Sequence, residues 1–410
     1  MREQLEGSRA VAETVARCRP QVVPAYPITP QTHIVEAVGA MVKSEALENC
    51  RFVTVESEFA AMSAAIGASA MGARTYTATA SQGLLYMAEA LYNAAGLGLP
   101  IVMTVANRAI GAPINIWNDQ SDSMSQRDCG WIQLYAADNQ AATDLHVLAF
   151  RLAEQLSVPA MVCMDGFVLT HAFEPIDLPE PEIVDRYLPT YRPRQVLDPD
   201  DPVTIGAMVG PEAFTEVRYL AHHQLQQADH WFTELADDWS LLTGRHLATV
   251  NPYRLDGART AVVSLGSVGG TVAEAIDGLV EPVGALGLTL YRPFPAGAVR
   301  DALDGVEHVI VLERAFSPGA GGVVSADVRA ALAGRPTRVS TVVAGLGGRS
   351  VTTASVQRMI GAATTGRLPA LSFLDLRDDI VDRELAHRDA VHRSGPPAHN
   401  LLRHAASRPR

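Results

Sequence analysis

Short apolar stretches alternate with helical segments through the first 165 residues, and this alternation constrains the fold more than any other feature of the sequence. The pattern predicts strands over residues 22–26, 51–55, 75–80, 100–106 and 158–164. Helices are predicted between them, including one rich in Ala, Ser and Gly over 57–71. Strands joined through helices favour an α/β fold with a mostly parallel sheet, whose ligands bind beyond the carboxyl ends of the strands.

Polar groups stand just after or between these strands in four segments, AYPITP at 25–30, ESEF at 56–59, TATASQG at 77–83 and ANRA at 106–109. Their side chains include the hydroxyls of Thr29 and Ser81, the amide of Gln82, the carboxylate of Glu58 and the guanidinium of Arg108. A carboxylate in the first turn of a helix is stabilised by the free amides there, and a guanidinium binds a carboxylate through two hydrogen bonds. No phosphate-binding loop accompanies these groups, so the sequence predicts half of an active site.

Three of these residues also have ordinary structural explanations. Glu58 is typical of an acid at a helix start, Arg108 of an ion pair, and Thr29 of the cap of a helix over 31–42. In the functional interpretation, Glu58 hydrogen-bonds a heteroaromatic nitrogen of a cofactor and drives proton movement within it. Glu56 competes for this role, but it stands at the strand end, where a local pair is favoured.

Composition and charge argue against several classes of function. Lys and Arg number 33 against 45 Asp and Glu, and a formal net charge of −12 argues against nonspecific nucleic-acid binding. No apolar stretch is long enough to span a bilayer and no signal-peptide core is present, so the sequence predicts a cytoplasmic protein without membrane contact. The four cysteines are scattered singly, so neither an iron–sulfur cluster nor a structural zinc site is expected on this chain.

A second α/β unit is predicted in the second half of the chain, with strands over 261–265, 284–290, 308–312 and 337–343. The turn GSVGG at 266–270 departs from the dinucleotide-binding spacing, so a tight strand-to-helix turn is favoured. The predicted organisation is a first domain over 1–255, with a proline-rich extended arm at about 178–203, then a second domain over 256–385 and a tail over 386–410.

A helix over 215–242 carries His222, His223 and His230. A metal site is one interpretation of these histidines. A solvated helix face is favoured, because no acidic ligand stands at a matching offset.

Long stretches of the chain resemble one known family. The matching segments of the first half are AYPITPQT, VESEFAAMSAAIGASAMGARTYTATASQGLLYMAEALYN, ANRAIGAPINIWNDQSDSM and RDCGWIQLYAADNQAATD. Those of the second half are VVSLGSVGGT, LYRPFP, VIVLERAFSPGAGG and GLGGRSVT. On these motifs, nearly all of residues 5–385 resemble the α subunit of multisubunit pyruvate (2-oxoacid):ferredoxin oxidoreductases.

The resemblance implies a thiamine diphosphate-binding parallel-sheet domain of the pyrimidine type, followed by an α/β domain like the C-terminal domain of transketolases. It implies an enzyme subunit, inactive alone, that takes part in oxidative decarboxylation of a 2-oxoacid, pyruvate by default, to acyl-CoA and CO2. In the family, the β subunit holds the magnesium diphosphate site and cluster cysteines. A γ subunit contributes to coenzyme A handling, a ferredoxin-like δ subunit carries further iron–sulfur clusters, and ferredoxin takes the electrons.

Site roles also follow from the resemblance, residue by residue. Glu58 would contact the aminopyrimidine of the cofactor and promote ylide formation. Thr29 and Arg108 would hold the substrate carboxylate. Ser81 and Gln82 fall within the segment that would bind the cofactor.

Two positions expected near this site depart from the family pattern. Gln120 stands where His is usual, which replaces a titratable imidazole with a neutral amide, and Phe59 stands where His or Ala is usual. Two other functions stay open on the sequence: a non-oxidative thiamine diphosphate-dependent decarboxylase or acyl transferase subunit, and a non-catalytic scaffold subunit.

Overall fold

A computed structural model describes residues 2–390 of the chain. Its strands are β1 (Glu3–Glu6), β2 (Val22–Ala25), β3 (Arg51–Thr54), β4 (Tyr76–Thr79), β5 (Val102–Asn107), β6 (Ile132–Tyr135), β7 (Ala160–Asp165), β8 (Phe173–Ile176), β9 (Val250–Tyr253), β10 (Thr260–Leu265), β11 (Val283–Leu288), β12 (Leu290–Arg292), β13 (His308–Glu313), β14 (Arg338–Val343) and β15 (Leu371–Phe373). Its helices are α1 (Gly7–Arg17), α2 (Thr32–Lys43), α3 (Glu58–Ala70), α4 (Ser81–Tyr86), α5 (Ala88–Gly96), α6 (Ser121–Ser125), α7 (Asn139–Leu156), α8 (Pro181–Tyr187), α9 (Phe214–Thr243), α10 (Val268–Asp277), α11 (Ala296–Ala302), α12 (Val324–Ala331), α13 (Thr353–Thr364) and α14 (Asp378–Ala390).

The first sheet has the strand order β12-β6-β7-β5-β4. Its strands β4, β5, β7 and β6 run parallel, and β12 pairs antiparallel with β6. Strand β2 pairs parallel with β3, and an isolated parallel bridge between Val22 and Thr75 brings β2 beside β4. The predicted α/β fold with a mostly parallel sheet is confirmed, and the carboxyl ends of β4 and β5 meet at one edge.

The second sheet has the order β15-β14-β13-β10-β11-β9, with β9 antiparallel to β11 and the other pairs parallel. The predicted strand over 284–290 is wrong at its end, because β11 stops at Leu288 and the chain then crosses to the first sheet. There β12 pairs with β6, with Leu290 opposite Leu134 and Arg292 opposite Gln133. The second half of the chain therefore supplies the edge strand of the first sheet.

The proline-rich segment 178–203 is not extended throughout, so that prediction is wrong in part. It contains α8, whose first turn holds a proline at a position where no helical hydrogen bond is lost. Buried Arg74 ties the end of α8 to the core. Its guanidinium donates to both oxygens of Glu154 (2.5 and 3.0 Å) and to the carbonyls of Cys18 (2.7 Å) and Pro189 (2.8 Å).

The long helix predicted over 215–242 is confirmed as α9, whose first half is exposed to solvent. Helix α14 continues through Ala390, so the first residues of the predicted tail are helical. Residues 391–410 of that tail lie outside the described residues. In the described part of the chain, no helix combines the length and the hydropathy needed to cross a membrane.

A buried polar chain crosses the first sheet to α7. The hydroxyl of Tyr76 lies 2.6 Å from Thr104 Oγ1, which lies 2.6 Å from Nε2 of His146. The other ring nitrogen of His146 lies 2.6 Å from the carbonyl oxygen of Ala142. Burial lowers the pKa of His146 to about 4, so the imidazole is neutral in the folded protein at pH 7.

Acidification is expected to weaken the fold through His146. Between pH 6.5 and pH 4 the unfolded chain binds a proton at this residue that the folded chain does not bind. The free energy of unfolding should therefore fall by about 1.4 kcal/mol per pH unit in this window, and show no loss from His146 above it. Urea unfolding at a series of pH values checks this against His146→Gln, which should lack the slope. Equal slopes for the two proteins would contradict it.

Candidate active site

The predicted site residues gather at the carboxyl edge of the first sheet. Ser81 follows β4, and its hydroxyl donates to the carbonyl oxygen of Ala109, just after β5 (2.5 Å). Glu58 begins α3 and faces the start of α4, because a Cβ placed on Gly83 would lie 2.6 Å from Oε1 of Glu58. Only glycine fits there. The segments that contain Glu58, Ser81 and Arg108 are therefore in contact with one another.

Glu58 is a buried carboxylate without a protein donor. The preceding Ser57 caps α3 by accepting a hydrogen bond from the amide of Ala60 (3.2 Å), which fixes where the helix starts. The Glu58 side chain is 8 % exposed, and no group in the described part of the chain donates a hydrogen bond to it. Because a buried carboxylate needs hydrogen-bond donors, this arrangement leaves its oxygens for a bound ligand.

Ser81 is fully buried at the sharp turn from β4 into α4, where its φ is +49°. Its amide donates to Oδ2 of Asp122 (2.9 Å), and the single hydrogen of its hydroxyl is shared between the carbonyl oxygen of Ala109 and the side-chain oxygen of Gln82. These bonds hold the start of α4 in place. Gln82 is only half-buried, and its amide nitrogen lies against Gly111, where a Cβ would come within 2.5 Å.

Asp122 is the central acceptor of the site, and the sequence patterns do not single it out. Its carboxylate accepts from the amides of Ser81 and Arg108 (both 2.9 Å), the side chain of Asn107 (2.8 Å) and the amide of Ser123 (2.8 Å). Burial raises the pKa of Asp122 to about 6, against the opposing effect of these hydrogen bonds. Asp122 therefore fixes the backbone at both Ser81 and Arg108.

Arg108 and Thr29 are brought together, but through the Thr29 backbone. Nη1 of Arg108 donates to the carbonyl oxygen of Thr29 (2.9 Å), and Nε donates to that of Asn115 (3.1 Å). Burial lowers the pKa of Arg108, but a guanidinium stays charged at neutral pH. Its Nη2 has no hydrogen-bond partner within residues 2–390. Thr29 is exposed, and no side chain caps α2, so the interpretation of Thr29 as a helix cap is wrong.

The loop that leads to α6 joins this site to the second sheet. Asp119 accepts from the amide of Gly347 (2.9 Å), and the buried Gln120 side chain donates to the carbonyl of Leu265 (3.2 Å). Beside them, Asp165 at the end of β7 forms a buried ion pair with Arg314 (3.0 Å). Gln120, where the family pattern has a histidine, therefore lies in the junction between the two sheets.

Phe59 is the other departure from the family pattern. Its ring is 38 % exposed beside Glu58, and it lies 6.2 Å from the ring of Tyr86, which is 61 % exposed. These exposed aromatic rings on α3 and α4 flank the site.

Two further motifs from the sequence are the histidines of α9 and the turn GSVGG. His222, His223 and His230 are exposed on α9 and do not form a metal-ligating group in the described residues, which agrees with the favoured solvated face. Gly266 has a left-handed φ of +72° at the turn between β10 and α10, and lies against Asp165 and Gln120. A tight turn is therefore the correct interpretation of GSVGG.

Family models match both halves of the chain. The thiamine diphosphate-binding domain of pyruvate flavodoxin/ferredoxin oxidoreductases matches residues 13–237. This chain belongs to the pyruvate:ferredoxin oxidoreductase family. Core domain II of pyruvate:ferredoxin oxidoreductase matches residues 258–356. Pyruvate synthase subunit PorA of Methanosarcina barkeri is 42% identical over 390 residues, 92% of this chain and 97% of that protein. The resemblance to α subunits of pyruvate:ferredoxin oxidoreductases is confirmed.

Solved structures support the fold of this pyruvate:ferredoxin oxidoreductase chain. The 2-oxoglutarate:ferredoxin oxidoreductase from Magnetococcus marinus, solved with 2-oxoglutarate, coenzyme A and succinyl-CoA, aligns with a TM-score of 0.65 and 20% identity. That alignment covers 88% of this chain and 65% of the Magnetococcus chain. A split-gene transketolase aligns with a TM-score of 0.51 and 12% identity over 88% of this chain and 99% of its own. The predicted thiamine-enzyme fold with a transketolase-like second unit is confirmed.

Proposed function

We propose that this chain is the α subunit of a 2-oxoacid:ferredoxin oxidoreductase that decarboxylates a 2-oxoacid, pyruvate by default, to acyl-CoA and CO2. The observation that carries the proposal is the buried Glu58 carboxylate, which accepts no hydrogen bond from the described residues and lies against Gly83 at the carboxyl edge of the first sheet. The ring nitrogen of an aminopyrimidine is itself an acceptor, so Glu58 would pair with it by sharing one proton between the carboxyl group and the nitrogen. Thiamine diphosphate supplies the electron sink for decarboxylation when it is bound.

Glu58 acts on that ring nitrogen from a fixed position. Its carboxyl group would donate a proton there, and the resulting carboxylate would accept a hydrogen bond from the ring N–H, which burial strengthens because little water competes. Ser81 holds the start of α4 in place, so Gly83 stays pressed against the carboxylate. Gln82, half-buried at the same turn, would contact the cofactor. Glu58, Ser81 and Gln82 thus keep the cofactor-binding roles predicted from the resemblance, and each is given a specific task.

Arg108 holds the carboxylate of the 2-oxoacid. Its free Nη2 is the donor that remains after Nε and Nη1 bind the backbone, and the exposed Thr29 hydroxyl adds a second donor. A charge-assisted hydrogen bond of this type is stronger than a neutral one. Holding the acid in one orientation lowers the barrier of a step that otherwise needs two molecules to meet correctly.

The rest of the reaction belongs to partner chains. The four cysteines are free and scattered, so this chain offers no thiolate set for a cluster. A β subunit would hold magnesium and the diphosphate, and iron–sulfur clusters in β and in a ferredoxin-like δ subunit would carry electrons to ferredoxin. A γ subunit would contribute to coenzyme A handling. We place the complex in the cytoplasm, because free thiols suit a reducing compartment. We propose no nucleic acid and no membrane among its partners.

The domain assignment is part of the same proposal. Residues 1–255 would form the pyrimidine-binding domain, with an arm at about 178–203, and 256–385 the transketolase-like domain. The first and second sheets follow this division except at β9, which lies before residue 256 but belongs to the second sheet, and at β12, which lies after it but belongs to the first.

Reconstitution tests the function. The chain is co-expressed with its partner subunits, thiamine diphosphate is quantified, and dye reduction is measured with pyruvate, a branched, an aromatic and a dicarboxylic 2-oxoacid, each with and without coenzyme A. Coenzyme A-dependent dye reduction supports the proposal. Release of CO2 without dye reduction would favour a non-oxidative enzyme, and absence of thiamine diphosphate from the complex would favour a scaffold.

Arg108→Lys is expected to raise the KM for the 2-oxoacid at least about tenfold, with a smaller change in kcat, because an ammonium cannot bind the backbone carbonyls and the substrate in the same planar geometry. Steady-state kinetics of the reconstituted complex measure both constants. Arg218→Lys, on the exposed part of α9, is the matched control and should leave KM unchanged. An unaltered KM in Arg108→Lys would remove Arg108 from substrate binding.

A further inference from the structure

Glu6, His33 and His171 bring three metal-ligating side chains together from separate parts of the chain. Glu6 ends β1, His33 lies in the first turn of α2, and His171 lies in the turn between β7 and β8. One ligand atom of each side chain lies within 4.8 Å of the other two. Among the described residues, no other group of three His, Cys, Asp or Glu side chains meets this condition.

Backbone pairing fixes two of the three ligands side by side. Strand β1 pairs antiparallel with β8, which places Glu6 opposite Phe173. Next to this pair, the amide of Gly7 donates to the carbonyl of Ala172 (3.0 Å) and the amide of Ser8 donates to that of Thr170 (2.9 Å). The separation of Glu6 and His171 is therefore set by a hydrogen-bonded ladder and not by flexible side chains alone.

The hydrogen bonds of the two imidazoles suit coordination. Nδ1 of His171 lies 2.7 Å from the hydroxyl of Thr170, so Nε2 is the nitrogen left for a metal, and Thr170 is the kind of outer partner that orients a histidine ligand. Nδ1 of His33 lies 2.8 Å from Oε1 of Glu6. Two donor atoms bound tetrahedrally about 2.1 Å from one ion lie about 3.4 Å apart, so this hydrogen-bonded pair would have to separate by about 0.6 Å to share an ion.

Contacts between tilted aromatic rings support the same arrangement. The rings of His33 and His171 are 4.8 Å apart, and the His171 ring lies 4.9 Å from Phe167. Phe167 in turn lies 4.9 Å from Trp117. The two histidines thus lie at the end of a row of tilted ring contacts that limits how far His171 can turn. His33 is 51 % exposed, which leaves an entry path for an ion and freedom for the final adjustment.

We infer that Glu6, His33 and His171 form a binding site for one Zn²⁺ ion, with water as the fourth ligand. Two imidazole nitrogens and one carboxylate oxygen are a set that Zn²⁺ prefers, whereas Mg²⁺ and Ca²⁺ prefer oxygen ligands. The ion would cross-link β1, α2 and the turn before β8. It is separate from the magnesium expected on the β subunit and does not depend on the proposed catalytic roles.

Metal titration of the untagged full chain tests this inference, with Zn²⁺ followed by calorimetry and Co²⁺ by absorption. One Zn²⁺ per chain is expected, with at least tenfold weaker binding in His33→Gln and in His171→Gln, and no saturable binding of Mg²⁺. The Co²⁺ spectrum should lack a thiolate charge-transfer band. Because glutamine is similar in size and these side chains are partly exposed, the variants should unfold at the wild-type temperature without metal, and this is measured in parallel.

A double variant, His222→Gln with His223→Gln, is the matched control, since these exposed histidines should not contribute. The inference is overturned if wild type binds Zn²⁺ no more tightly than the combined His33→Gln and His171→Gln protein. Loss of binding in the control variant, or a thiolate band with Co²⁺, would assign the ion to α9 or to a cysteine and would equally overturn it.

Discussion

Replacing Glu58 with glutamine is expected to lower the 2-oxoacid-dependent turnover of the assembled enzyme by about 10²–10⁴-fold, the range that a positioned acid or base contributes. Glutamine keeps the size of the side chain, so Gly83 and the start of α4 should stay where they are. It can neither give a proton to a cofactor ring nitrogen nor take that proton back. Single-turnover and steady-state dye reduction in the reconstituted complex measure the loss, and thiamine diphosphate content shows whether the cofactor is still bound.

Glu56→Gln is the matched control, because Glu56 is an exposed carboxylate two residues earlier in the same segment. Its turnover should equal that of the wild type. Wild-type turnover in Glu58→Gln would end the assignment of Glu58. An equal loss of turnover in Glu58→Gln and Glu56→Gln would also end it, because the effect would then come from disturbing the whole segment and not from the Glu58 carboxylate.

Asp122→Asn is expected to lower the free energy of unfolding by about 3 kcal/mol at pH 7.5, and to abolish turnover as well. The carboxylate accepts four hydrogen bonds, two at each oxygen. An amide can offer only one oxygen, and its NH2 group would face two donors. The amides of Ser81 and Arg108 would then move, so two predicted site residues lose their positions together. Urea unfolding of the full chain measures the change.

Asp128→Asn gives the comparison, since Asp128 lies in the same region of the chain but is 68% exposed in its ion pair with Arg127. An exposed pair contributes little, so this variant should unfold at nearly the wild-type urea concentration. If Asp122→Asn were equally stable, the buried carboxylate would not be the group that organises the site.

Strands β4, β5 and β7 of the first sheet follow from local pattern, whereas β6 and β12 were not predicted. Each apolar stretch carries its own strand signal, and parallel packing then brings the segments after β4 and β5 to one edge. For that reason Glu58, Ser81 and Arg108 could be assigned to a common site from the sequence. The start of α3 at Glu58 can also be predicted from the sequence, because Ser57 is a typical cap residue.

Pairings and hydrogen bonds between residues far apart in the sequence cannot be predicted from local patterns. Strand β12 is three residues long, and its place beside β6 depends on tertiary contacts that no local pattern encodes. The four bonds to Asp122 come from residues up to 41 positions away, so its neighbours in sequence do not distinguish it from Asp119 or Asp128. Helix α7 does carry a start signal, since Asp138 caps it through the amide of Ala141 (2.6 Å). The short strand β6 just before it makes the first residue of the helix hard to predict from the sequence.

The position of β12 has a consequence for synthesis on the ribosome. Strand β6 is translated more than 150 residues before its edge partner, Leu290–Arg292. Until that partner emerges, the nascent protein carries an open strand edge, which invites pairing with other chains. The edge of β6 is therefore the part of the first sheet where we expect the nascent chain to be most prone to aggregation.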